Sequence, residues 1–188
     1  MTTIYFVRHA EPDSRVHDDR VRPLTPKGMR DAGLVTDYLK DKGVGVILSS
    51  PFQRAADTVR GLAGHLGLPI QLVEDFRERE VGAWVEDFAQ YARQQWDDFD
   101  YRLPGGESLR EVQERNVSAL NRVLAQYPDQ TIVVGSHGTA ISTLLHHFDP
   151  SFGYDDFAAI KNLMPWIVKF SFGPDDRVGI EKIDLFSA

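Results

Sequence analysis

Four short stretches of this sequence hold residue types suited to binding and transferring a phosphoryl group: Arg8-His9, Arg54, Glu78 and Ser136-His137-Gly138. Arginine presents a fork of donors that matches phosphate oxygens. A neutral histidine can attack phosphorus and carry the phosphoryl group, and a second histidine, protonated, can stabilise charge on the transferring oxygens. A carboxyl group can protonate a departing alkoxide and afterwards activate water. None of these steps requires a metal, and no cofactor is expected. Other polar clusters carry less. His146 and His147 are adjacent, so on a helix they point in different directions and do not share a ligand sphere. Asp97-Asp98-x-Asp100 lacks the glycine and terminal glutamate of a calcium loop. Glu78 has Glu74 and Glu80 as neighbours, and residue chemistry alone does not choose among the three.

These side chains converge only if the elements carrying them do. A β-prone run, Thr3–Val7, leads straight into Arg8-His9. Val44–Leu48 leads into Ser49-Ser50-Pro51, with Arg54 one turn into the following helix. Thr131–Val134 leads into Ser136-His137-Gly138, and the loop after a shorter strand, Pro69–Val73, brings Glu78. Thr25 and Pro26 are a cap-plus-proline helix start, with Met29, Ala32, Val35, Tyr38 and Leu39 on one apolar face and Gly43 as the stop. Ser50 and Pro51 read as a second such start, before a stripe of Ala55, Val59, Leu62, Ala63 and Leu66 that Gly67 ends. Ser108-x-x-Glu111 is a capping box opening a helix that stops before Pro128. Ala140–Phe148 is helical, and Ile167–Phe172 and Val178–Ile183 are late strands around Gly173-Pro174. The acidic, aromatic stretch Glu74–Asp100 reads as a loop followed by helical material. This alternation predicts an α/β fold, a three-layer α/β/α sandwich with a mostly parallel central sheet. Ligands of such sheets collect beyond the carboxyl ends of the strands.

The chain has 188 residues, 42% hydrophobic and 26% charged, enough for one domain with a real core. We expect a single domain over residues 1–188 with a small lid at about 79–104. Twenty-one Lys and Arg against 28 Asp and Glu give a net charge of −7, the wrong sign for a dedicated nucleic-acid binder. The lack of cysteine excludes disulfides, thiol nucleophiles and cysteine-ligated metal sites. Met1–Val7 is too short for the apolar part of a signal peptide, and no stretch approaches a membrane span. The expectation is a soluble cytoplasmic protein without a membrane partner; nothing in the sequence sets its oligomeric state.

Several motifs resemble, in order, those of the histidine phosphatase superfamily, which includes the cofactor-dependent phosphoglycerate mutases. Ile4-Tyr5-Phe6-Val7-Arg8-His9-Ala10-Glu11 is similar to its signature of an apolar strand followed by Arg-His-Gly. Leu24-Thr25-Pro26-x-Gly28, Ser49-Ser50-Pro51-x-x-Arg54-Ala55, Phe76-Arg77-Glu78 with Gly82-x-Trp84, Gly106-Glu107-Ser108 and Val133-Val134-Gly135-Ser136-His137-Gly138 resemble its further segments. Asn162 and the strand after it resemble the family's last strand. The resemblance implies a phosphoglycerate mutase-like fold, with His9 as the phosphoryl-accepting nucleophile. It implies Arg8, Arg54 and His137 as phosphoryl-binding groups and Glu78 as proton donor and then general base. Glu11, His17, Gly138 and Ser108 are the candidates for further substrate contact. Ala10 stands where the family usually has glycine, so a methyl group enters the pocket wall, and Pro12 replaces a position often polar.

The resulting expectation is a metal-independent phosphatase acting on small-molecule phosphate esters, with a phosphoprotein as a further substrate option. Three alternatives stand beside it. A mutase would return the phosphoryl group to another hydroxyl, although the glycolytic mutases carry a longer insertion after the glutamate and a longer tail. A serine hydrolase would use Ser136, but Val134 replaces the first glycine of the nucleophile elbow. A non-catalytic protein would bind a phospholigand only. The acidic residues of 74–100 are expected to border the pocket and disfavour highly anionic substrates. The aromatics there, including Trp84, Phe88, Tyr91 and Trp96, either wall a ring-bearing leaving group or belong to the core.

Overall fold

Ile4 and Phe6 of the first strand, β1 (Thr2–Arg8), turn to one face of the sheet and Tyr5 and Val7 to the other, and all four are buried. A strand enclosed in this way has helices over both faces. The computed structural model describes residues 1–187. After β1 come α1 (Pro26–Leu39), β2 (Val46–Ser49), α2 (Gln53–Leu66), β3 (Ile70–Leu72) and a 3-10 turn at Glu74–Phe76. Then follow α3 (Phe88–Asp97), α4 (Leu109–Gln126), β4 (Thr131–Ser136), α5 (Gly138–Phe148), α6 (Tyr154–Ala159), β5 (Trp166–Phe172) and β6 (Val178–Ile183). The six strands lie in the order β3-β2-β4-β1-β5-β6. The first four run parallel; at the far side β5 pairs antiparallel with β1, and β6 antiparallel with β5. The sheet is therefore mostly parallel, within the α/β sandwich expected from the alternation of elements.

Each face of the sheet has its own core. Tyr5, Val7, Val133 and Ile167 pack against Val35 and Leu39 of α1 and Val59 and Leu62 of α2. Ile4, Phe6, Ile132, Val134 and Val168 pack on the opposite side against Leu120 and Val123 of α4 and Ile141 and Leu144 of α5. The chain thus leaves β1 onto one face and leaves β4, the neighbouring strand, onto the other. A crevice opens between two such strands at their carboxyl ends, because their connections diverge there.

Local signals set several boundaries as expected. Thr25 Oγ1 accepts the Gly28 N–H at 2.9 Å with Pro26 in the first helical turn. Gly67 ends α2 at φ +67, and Ser108 and Glu111 form the reciprocal capping box of α4. Other boundaries differ. Ser50-Pro51 does not start α2: the helix begins at Gln53 with Phe52 in the cap position and no side-chain cap. The Ser50 hydroxyl instead accepts the Phe52 N–H at 3.2 Å and meets His137 Nε2 at 2.8 Å. Met29 is 55% exposed rather than on the buried face of α1. Helix α1 stops at Leu39, and Gly43 (φ +71) serves the turn beyond it. Helix α6 was not anticipated; its six residues include none that is buried, so no apolar period announces it.

Candidate active site

Three parallel strands end side by side at the crevice. Arg8 of β1 is in register with Ser136 of β4, and Gly135 of β4 with Ser49 of β2. Neighbouring strands lie about 4.8 Å apart, so the residues that follow them meet. The His9 and His137 rings stand edge to face with centroids 5.3 Å apart. The His9 ring is fixed by Nδ1, 2.7 Å from the Ala10 carbonyl oxygen. A carbonyl oxygen only accepts, so Nδ1 carries the hydrogen and Nε2 keeps its lone pair. Burial, then the charges of Arg54 and Arg8, hold His9 well below the ordinary histidine value, which keeps the ring neutral near pH 7. Ala10 is accommodated: its N–H donates to Thr58 Oγ1 at 3.0 Å, its methyl is buried with Leu24 and Ala32, and its φ is not positive.

The arginines flank this ring. Arg8 donates through Nη1 to the Ile160 carbonyl at 2.6 Å, while its buried Nε has no partner. Burial draws its guanidinium down to about 10. Gly138, the first residue of α5, makes room for it, since a Cβ there would stand 2.9 Å from Arg8 Nε. Arg54, in the first turn of α2, is 3% exposed and tied to Asp19 through its carbonyl at 2.6 Å and its carboxylate at 3.1 Å. Burial lowers its guanidinium too, opposed by Asp19 and Glu78. His137 is fully buried, with Nε2 on Ser50 Oγ and Nδ1 unpartnered; burial first and Arg54 second hold it neutral.

Glu78 sits at the amino end of α5. Its Oε1 accepts the N–H groups of Arg79 (2.9 Å) and Ala140 (3.1 Å), and Oε2 accepts that of Thr139 (3.1 Å). The unpaired N–H groups of a helix start suit a carboxylate. The segment bearing Glu78 is irregular and is held from α4: Arg115 donates to the carbonyls of Asp75, Arg77 and Glu78 while its guanidinium pairs with Glu107 at 2.8 Å. Those carbonyls have no ladder partner, and one forked side chain satisfies all three.

Arg8, His9, Arg54, Glu78 and Gly138 line one cavity of about 660 Å³. His137 lies beneath it against His9. His17 lines an adjoining cavity of about 740 Å³ that shares Asp19, Arg22, Val81 and Phe88 with the first. Glu11 and Ser108 line neither: the Glu11 carboxylate accepts from Thr25 Oγ1 at 2.8 Å, and Ser108 caps α4. Sequence reasoning passed over Arg22, Arg79 and Lys161, all in the first cavity. Arg79 is 4% exposed, lies against the rings of Phe88 and Tyr91, donates to Thr139 Oγ1 at 3.2 Å, and forms no ion pair among the described residues. The expectation of an acidic pocket border is also corrected. Of the acidic residues of 74–100, only Glu78 lines the first cavity and Glu80 the second, while five arginine and lysine side chains line the first. That wall attracts anions. Among the described residues no group of three or more His, Asp and Glu side chains is placed to hold a metal ion, and no helix is long and apolar enough to cross a membrane.

Paired histidines and arginines at the carboxyl edge of a mostly parallel sheet make an anion-binding crevice on an α/β fold. Residues 4–175 match the family model of the histidine phosphatase superfamily (branch 1), and the chain belongs to that superfamily. It is 32% identical over 149 residues to the uncharacterized phosphatase PhoE of Bacillus subtilis, covering 77% of this chain and 76% of that one. It is 32% identical over 158 residues to the probable phosphoglycerate mutase GpmB of Cronobacter sakazakii, covering 77% and 74%. In fold it is similar to a phosphoserine phosphatase from Entamoeba histolytica, solved with phosphoserine, with a TM-score of 0.81 at 22% identity over 99% of this chain and 98% of that one.

Proposed function

We propose that this protein is a phosphatase that hydrolyses phosphomonoesters through a phosphohistidine formed on His9. The observation that carries the reading is the fixed His9 tautomer: Nδ1 is committed to the Ala10 carbonyl, and Nε2 is a lone-pair nucleophile beside two buried guanidinium groups. Phosphate oxygens bind Arg8 and Arg54, and the buried, unpartnered Nδ1 of His137 is the group left to meet the transferring oxygens as they gather charge. His9 Nε2 forms its bond to phosphorus as the bond to the ester oxygen breaks. Glu78 gives its proton to that oxygen, and the alcohol leaves. Glu78 then takes a proton from water, the water oxygen attacks phosphorus, the nitrogen–phosphorus bond breaks, and inorganic phosphate departs.

Hydrolysis of p-nitrophenyl phosphate in EDTA tests the scheme. Wild type is expected to turn over, His9→Ala to lose nearly all activity, and alkaline denaturation to trap a base-stable, acid-labile phosphoryl group on His9. Turnover unaffected by His9→Ala overturns it. The similarity to GpmB supports a second reading, in which the phosphoryl group passes to a second hydroxyl. Isomerisation of a phosphoglycerate without release of inorganic phosphate would establish that outcome instead.

A further inference from the structure

The adjoining cavity is built differently from the first. Its arginines are already paired: Arg22 with Asp19 at 3.0 Å, Arg20 with Glu74, and Arg77 with Glu107 at 3.5 Å. Its aromatic surface is not. Trp84 is 75% exposed and Phe88 46%, unusual for large apolar side chains, and both line the cavity. The Trp84 indole stacks on His17, with centroids 4.9 Å apart and planes 22° apart, which holds it at the rim. Gly82, two residues earlier, fixes the turn: its φ is +86, and a Cβ there would lie 2.5 Å from the Gly106 nitrogen. Phe88 belongs to both cavities, so the aromatic surface runs on from the site that holds phosphorus. The other aromatics of this segment are used elsewhere. Tyr91 is buried beneath Arg79, and Trp96 packs among Phe99, His146 and Phe152.

We infer that this second cavity is the leaving-group subsite, and that it selects phosphomonoesters of alcohols carrying a planar aromatic ring, which stacks on Trp84 and Phe88. The inference rests on the phosphatase reading for the position of the phosphoryl group. An aromatic contact of this kind contributes roughly tenfold in affinity.

The test compares 2-phenylethyl, 2-cyclohexylethyl and propyl phosphate, all esters of primary alcohols, so that leaving-group chemistry is matched. The phenyl ester is expected to show a KM about tenfold below the propyl ester, with the cyclohexyl ester between them. Trp84→Ala is expected to collapse that preference and Trp84→Phe to retain most of it. Calorimetric titration with 3-phenylpropylphosphonate against butylphosphonate gives the same comparison without turnover. Equal affinity for the two phosphonates, or a Trp84→Ala effect the same for all three esters, overturns the subsite even where the phosphatase reaction stands. Selective phenylpropylphosphonate binding, lost in Trp84→Ala but with no ester hydrolysed, upholds the subsite and fails the phosphatase reading.

Discussion

Glu78 and Arg79 are adjacent residues with opposite electrostatic situations. Glu78 accepts three backbone N–H groups, whereas Arg79 is buried with an unpartnered Nε and no carboxylate. In the proposed cycle Glu78 supplies the leaving-group proton, so Glu78→Gln is expected to slow alkyl phosphates far more than p-nitrophenyl phosphate, whose leaving group needs little protonation. Equal slowing of both would move the acid role to another residue. The Glu78→Gln amide also turns an NH₂ group toward a backbone donor, so a modest loss of stability accompanies the kinetic effect. Arg79 is a buried charge with no carboxylate partner among the described residues, faced only by the Thr139 hydroxyl and the rings of Phe88 and Tyr91. Such a charge is costly, and replacing it with an apolar side chain of similar reach is often neutral or stabilising. Arg79→Met is therefore expected to leave the free protein as stable as wild type or more so, while weakening inhibition by inorganic phosphate about tenfold, as for loss of one charge-assisted donor. Thermal unfolding with and without phosphate reads both effects. A large destabilisation of the free protein with unchanged phosphate inhibition would make Arg79 a packing residue.

At the level of elements, the geometry of the crevice depends on close approach at two glycines, and they predict different failures. A Cβ on Gly28 would lie 2.3 Å from the Glu11 carbonyl oxygen, a backbone atom held by the Thr25 N–H. Gly28→Ala is thus expected to cost stability, about 1–3 kcal/mol as for overpacking elsewhere, in a urea melt. The three atoms nearest a Cβ on Gly138 all belong to the Arg8 guanidinium, the far end of a flexible side chain, at 2.9–3.1 Å. Gly138→Ala is expected to fold normally and to lose about tenfold to a hundredfold in kcat/KM as Arg8 is displaced; a normal rate would mean that Arg8 does not need its observed position. This contrast also marks what the sequence makes legible. Strand-end placement of Arg8-His9 and Ser136-His137 follows from apolar runs meeting polar residues, and the capping signals at Thr25 and Ser108 stand at their helix ends. Arg115 escaped notice because its task is to satisfy three carbonyls about 40 positions away, which no local pattern records. Arg79 escaped because it lies in an irregular segment without a period, and α6 because it buries nothing. Ser50 misled because a serine before a proline suits a helix start, and only the neighbouring strand shows that its hydroxyl serves His137 instead.

Across the whole molecule, net charge and local charge have opposite signs: the chain carries −7, while the cavity at the strand ends gathers Arg8, Arg22, Arg54, Arg79 and Lys161. Burial, with Arg54 and Arg8 adding to it, keeps both His9 and His137 neutral in the folded state well below the pH at which the unfolded chain protonates them. The sign of the linkage follows. Above the ordinary histidine value neither state binds these protons, so the pair adds no pH dependence. Below about pH 6.5 the unfolded chain takes up two protons that the folded one refuses, and stability falls by up to about 1.4 kcal/mol per pH unit for each histidine. Urea denaturation between pH 7.5 and pH 5 is expected to show this loss, and His9→Gln to show about one histidine's share less of it. Inorganic phosphate should flatten the dependence in wild type, because its negative charge beside the rings opposes the effect of Arg8 and Arg54 and lets the folded state accept a proton. An unchanged slope in His9→Gln would mean that the His9 ring is protonated in the folded protein at these pH values, and it would then lack the lone pair on which the proposed attack depends.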